Sequence, residues 1–107
     1  MELNGKAVQV VMACGFNAKY GGLESILYTK EAFAVLQKHP MDMIVFEMAD
    51  EHTMQIRAGG YDLATDSILD EKTIFFQTES LHVDKFYFKL DDYGDRYVGT
   101  FLLANEY

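Results

Sequence analysis

Residues 84–103 read DKFYFKLDDYGDRYVGTFLL, and this stretch decides how the rest of the chain must be arranged. Two runs of alternating aromatic, aliphatic and charged residues flank Asp91-Asp92-Tyr93-Gly94, the form of a β-hairpin. Aspartate favours the first position of a type I turn. Glycine at the fourth accepts the left-handed backbone that closes a three-residue loop with a bulge. Such a loop sets Asp91 opposite Asp95 and so fixes the register. Phe86, Phe88 and Leu90 then share a core face with Val98, Thr100 and Leu102. Lys85, Tyr87 and Lys89 share the other face with Tyr97, Gly99, Phe101 and Leu103, and Tyr87 covers the bare backbone of Gly99. A hairpin solvated on one side shows polar residues there. The aromatic back expected here, Tyr87, Tyr97 and Phe101, therefore needs a cover: another element, a second copy of the chain, or a ligand. A lone hairpin is not stable in water, so further strands must join it.

The segments upstream supply them. TIFFQT, residues 73–78, has strand composition, whereas residues 61–72 show no firm period: YDLAT fits a short strand and DSILDEK a turn or one helical turn. Residues 41–58 read as a second hairpin. MDMIVFEM is apolar on both faces, as in a central strand, and Ala49-Asp50-Glu51-His52 turns the chain. TMQIRA returns with Met54, Ile56 and Ala58 inward and Thr53, Gln55 and Arg57 outward, and Gly59-Gly60 ends the arm. LESILYTKEAFAVLQK, residues 23–38, is helical. Leu23, Ile26 and Leu27 form one apolar group, and Ala32, Phe33, Val35 and Leu36 the next. Thr29 could cap a separate second helix, and Pro40 forces a stop. FNAKYGG reads as a loop. Residues 5–14 satisfy both periods; Asn4 as a cap tips the reading to helix, against the strand preference of the valines. The expectation is α+β in one domain over residues 1–107: one or two N-terminal helices packed on a curled antiparallel meander of four to five strands. A small β-barrel with a helical lid is the alternative.

Charge is unevenly placed. Of the 107 residues, the first forty hold three acids and four bases; the remainder hold fourteen acids and five bases, for a total of −8. Such a surface repels nucleic acid and membrane phosphates and attracts a basic protein partner, or serves solubility. No apolar run is long enough for a transmembrane helix, and MELNGKAVQVVMACG makes a poor export signal because its apolar stretch is short and broken by Gln9. One cysteine, Cys14, rules out an internal disulfide and any multi-cysteine metal site, which fits a reducing, cytoplasmic setting.

The motif scan finds no G-x-S-x-G, H-E-x-x-H, P-loop, G-x-G-x-x-G or C-x-x-C. No catalytic residue, metal ligand or cofactor is therefore expected. Cys14 has no neighbouring base and reads as a core residue. His39, His52 and His82 read as loop histidines, and Asp62, Asp66 and Asp70 as a solvated acidic segment. Glu47 is different, because its neighbours in MIVFEM look buried. A pocket lined by Met43, Met48, Met54, Tyr87, Tyr97 and Phe101, with Glu47 reaching in, would suit a small apolar or cationic ligand. The leading expectation is a small acidic, non-enzymatic protein. It would self-associate as a homodimer, or inhibit a basic protein, through the aromatic back of the last hairpin. A small-molecule binder is the alternative, and an enzyme using carboxylates comes third.

Overall fold

The computed structural model describes residues 1–38, 40–48, 53–62, 67–68, 72–77 and 85–107. Asn4 and Gly5 both take positive φ, 52° and 77°, and reverse the chain between β1 (Glu2–Leu3) and β2 (Lys6–Met12). Two positive φ values in succession are what a two-residue hairpin needs, and Asn-Gly is the dipeptide that supplies them most readily. Two helices follow, α1 (Cys14–Tyr20) and α2 (Leu23–Lys38). The chain then returns to the sheet in β3 (Met41–Met48), β4 (Thr53–Asp62), β5 (Ser67–Ile68) and β6 (Lys72–Gln77). It finishes with β7 (Phe86–Asp92), β8 (Arg96–Leu103) and a 3-10 turn, Ala104–Glu106.

These strands make one curled sheet in the order β1-β2-β8-β7-β3-β4, with β5 and β6 both along the far edge of β4. The α+β architecture is the one expected: two helices pack on a curled sheet of half-barrel form. One pairing departs from a meander. β2 runs parallel to β8, from Ala7 opposite Arg96 to Met12 opposite Phe101, and the other pairings are antiparallel.

The C-terminal hairpin exists, but its register differs from the expected one. Asp92 pairs with Tyr97, Leu90 with Gly99, Phe88 with Phe101 and Phe86 with Leu103. The reversal lies at residues 93–96: Gly94 has φ 91°, the Tyr93 N–H donates to the Arg96 carbonyl at 2.8 Å, and the Gly94 N–H donates to Asp92 Oδ1 at 2.8 Å. The shift from Asp91/Asp95 to Asp92/Tyr97 pairing is an odd number of residues, and side chains alternate with period two. The whole returning arm therefore changes face. Tyr97 and Phe101 join Phe86, Phe88 and Leu90 on the helix side, and Val98, Thr100 and Leu102 join Tyr87 on the outer side. Gly99 is covered by Phe88 rather than by Tyr87.

Other expectations are corrected upstream. Residues 5–14 supply a strand, because the valine-rich segment finds a full-length partner in β8. FNAKY is helical in α1, and α2 is continuous through Thr29. The buried stripe of α2 is Ser25, Tyr28, Ala32, Val35 and Leu36; Ile26 and Leu27 face solvent, with 65% and 42% of their surface exposed. Residues 41–58 pair as expected, with Met54, Ile56 and Ala58 buried. β4 nevertheless runs on through Gly59-Gly60, with a register shift opposite Met41 and Met43. The turn at 49–52 and the segments 63–66, 69–71 and 78–84 lie outside the described residues.

α1 has no local N-cap: Ala13 offers no side-chain acceptor. The cap comes from the far end of the chain. Glu106 accepts the Gly15 N–H at 2.8 Å, the Phe16 N–H at 3.0 Å and the Leu103 N–H at 2.9 Å. A Cβ on Gly15 would come within 2.7–2.9 Å of that carboxylate. The Leu103 N–H, followed by those of Gly15 and Phe16, holds the Glu106 carboxyl below the ordinary glutamate value of 4.5. A depressed carboxyl contributes stability that is complete above its unfolded value and is lost as pH falls through its folded one. Glu106→Gln is therefore expected to flatten the acid limb of a melting-temperature profile taken from about pH 7 to about pH 3. It should also speed hydrogen exchange at the Gly15 and Phe16 amides at neutral pH. Unchanged exchange at both amides would show that the carboxylate does not hold the helix.

The core between sheet and helices is aromatic. The Phe86 ring meets Phe16 at 5.1 Å, Tyr20 at 5.5 Å, Tyr28 at 5.0 Å, Phe46 at 4.7 Å and Phe101 at 6.2 Å. Phe16, Tyr28, Phe46, Phe86, Phe88 and Phe101 are all fully buried. At the hairpin-turn end, Lys6 lies 4.3 Å from the Tyr97 ring centre and pairs with Asp92 at 2.6 Å, while the Asn4 amide donates to the Tyr97 hydroxyl at 3.1 Å.

Candidate functional site

The alternation of each strand decides what the outer side of the sheet presents. Across the middle of it, Leu102 on β8 lies opposite Tyr87 on β7, Tyr87 opposite Val45 on β3, and Val45 opposite Arg57 on β4. The neighbouring row runs Val11, Thr100, Lys89, Met43. Tyr87, Val45, Met43 and Leu102 are half-buried, and Val11 keeps 37% of its surface exposed. Tyr107 stands edge-on to Tyr87, with ring centres 5.5 Å apart, and Lys85 lies 5.7 Å from the same ring.

Three bases on this side, Arg57, Lys89 and Arg96, face acids of the same chain. Arg57 Nε lies 2.9 Å from Glu47 Oε1. Lys89 lies 3.3 Å from Asp91 and 4.0 Å from Asp42. Arg96 pairs with Asp95 at 3.1 Å and donates from Nε to Gln9 at 3.0 Å. Between residues 49 and 84 the sequence holds eight acids against two bases.

The residues expected to form one pocket are divided between the two sides. Met54, Tyr97 and Phe101 are buried on the helix side, at 0%, 4% and 0% exposure. Met43, Glu47 and Tyr87 are on the outer side, and Met48 is on the helix side. The sheet itself stands between the two sets, so they cannot enclose a single ligand. Glu47 spans diagonally to Arg57 on the neighbouring strand. An open depression of about 250 Å³ does exist, lined by Lys19, Lys85, Leu103, Ala104 and Asn105, and it contains none of the expected pocket residues. Cys14 is exposed at the start of α1 rather than buried in the core. His39, His52 and His82, with Asp66 and Asp70 and the side chain of Asp62, lie outside the described residues. Among the described residues no group of histidine, cysteine, aspartate and glutamate could hold a metal ion. Among them, too, no helix is long and apolar enough to cross a membrane.

Sequence reasoning misses Val11, Val45 and Leu102 as outer-side residues. The signal for the first is period-two alternation in KAVQVVM, outweighed by the reading of Asn4 as a cap. Comparison of the chain with protein-family models, with curated proteins and with solved structures gives no match.

Proposed function

We propose that the protein is a non-enzymatic interaction protein that self-associates through the outer side of its sheet, with Tyr87 at the centre of the contact. The carrying observation is the local charge balance of that side. Two chains each carrying −8 repel one another over most orientations. On the outer side Arg57, Lys89 and Arg96 already face acids of their own chain, so these charges offer less repulsion to a second copy than unpaired ones would. The Leu102–Tyr87–Val45 row supplies an apolar centre, and tyrosine is among the residue types that dominate interface energies. The same balance disfavours this side as the landing place for a basic protein, since its acids are taken. A reducing, cytoplasmic setting belongs to the same proposal, supported by an exposed free thiol at Cys14.

The test is solution mass by light scattering at several concentrations. Tyr87→Asp places an uncompensated carboxylate in the contact. It is expected to halve the mass and to weaken association by about thirtyfold or more, with the near-ultraviolet circular dichroism of the buried aromatics preserved. A mass unaffected by Tyr87→Asp overturns the reading.

A further inference from the structure

Residues 104–107 join the two sides of the sheet. Past Leu103 the backbone stays tied to the start of β7, the Ala104 N–H donating to the Lys85 carbonyl at 3.3 Å. Glu106 then reaches the helix side, where its carboxylate accepts the Gly15 and Phe16 amides of α1 together with the Leu103 amide. Tyr107, one residue on, lies on the outer side with its ring 5.5 Å from that of Tyr87. These residues form a strap around one end of the sheet. It is fastened at Glu106 and ends on the ring placed at the centre of the outer contact.

The two attachments are unequal. Three charge-assisted hydrogen bonds of 2.8–3.0 Å hold Glu106. Tyr107 keeps 68% of its surface exposed, and among the described residues its ring meets one other ring, Tyr87. The carboxylate therefore sets where the Tyr107 ring stands. An edge-on pair at this spacing is a favourable aromatic contact, and it takes up part of the Tyr87 surface that a partner's side chain would pack against. A partner that needs that surface binds more weakly, in proportion to the fraction of molecules in which the strap is open.

We propose that the strap is an autoinhibitory contact: Glu106, clasped to α1, holds Tyr107 against Tyr87 and so weakens self-association through the outer side. The proposal rests on the outer-side contact argued above. Gly15 is the position that makes the clasp possible. A Cβ there would come within 2.7–2.9 Å of the Glu106 carboxyl, whose flexible side chain must then move away. Gly15→Ala thus opens the clasp while favouring the helix in α1, which separates release of the strap from loss of the helix.

Light scattering gives the dissociation constant of self-association, and nuclear Overhauser contacts between the Tyr87 and Tyr107 rings report the strap. Glu106→Gln and Gly15→Ala are expected to lose the ring contact and to tighten self-association about tenfold, the gain when a strap open in roughly one molecule in ten is released in all of them. Tyr107→Ala, which leaves the clasp in place, is expected to give the same gain with the Gly15 amide still protected from exchange. A merely structural role for Glu106 would move the first two variants and not the third. Loss of the ring contact with association unchanged or weakened overturns the proposal, as does a ring contact that survives both clasp variants. Adding Tyr87→Asp to each variant separates this proposal from the reading it rests on. Tightened association that ignores Tyr87→Asp, or a chain monomeric in every form, overturns the outer-side contact and the strap's role with it. Association that Tyr87→Asp abolishes and the strap variants leave unchanged overturns the strap alone.

Discussion

Phe86→Ala is expected to lower the stability of the fold by about 3–5 kcal/mol, the range for truncating a fully buried aromatic. Five rings surround Phe86: Phe16 and Tyr20 from α1, Tyr28 from α2, Phe46 from β3 and Phe101 from β8. It therefore joins both helices to two strands, and the hole it leaves is walled by rigid rings that cannot collapse far into it. Denaturant unfolding followed by tyrosine fluorescence measures the change. Phe33→Ala gives the comparison: Phe33 is only partly buried at the edge of the core, and its loss should cost well under half as much. If the two variants unfold at the same denaturant concentration, the aromatic cluster is not where the stability resides.

Gly99→Ala should cost about 1–3 kcal/mol by overpacking, and Gly99→Val more. An added Cβ would overlap Phe88 Cζ and lie 2.7 and 2.8 Å from the two neighbouring ring carbons. Phe88 is fully buried and packs at 4.6 Å on Phe101, so it has no room to swing away. The steric account makes a specific demand on the pair. In a Phe88→Leu background the shorter side chain should accept the methyl group, and Gly99→Ala should become nearly neutral. A double-mutant cycle should then show coupling of about 1–3 kcal/mol. Additive effects of the two substitutions would mean that Gly99 is needed for something other than the space under that ring.

Phe88 and Gly99 also mark how far alternation along the chain reveals the fold. Phe86, Phe88 and Leu90 are legible as core from alternation alone, as are Met54, Ile56 and Ala58 on β4. Gly94 is legible as a reversal. The partner of Gly99 is not, because a turn of the form DDYGD admits more than one loop length, and one odd step exchanges Tyr97 and Phe101 between faces. The expected site falls with that step: of the three rings expected on the back, Tyr87 alone stays there, with Tyr107 edge-on to it. The helix α1 is illegible for another reason. Its capping carboxylate, Glu106, is 90 residues from Phe16, and local sequence carries no trace of it. The strand β2 is a different kind of miss. Asn4-Gly5 is a strong hairpin signal, and reading Asn4 as a helix cap spends it on the wrong element.

The parallel pairing of β2 with β8 has a consequence for how the chain comes to be folded. Gln9 and Arg96, which meet across that pairing, are 87 positions apart. On the ribosome β2 emerges long before its partner β8, so this pairing stays open until synthesis has passed Leu103. Closing so large a loop is entropically slow, and contacts of this sequence separation lengthen folding times. The interval leaves AVQVVMA, an uncharged strand-forming segment, waiting beside nascent neighbours that carry the same one.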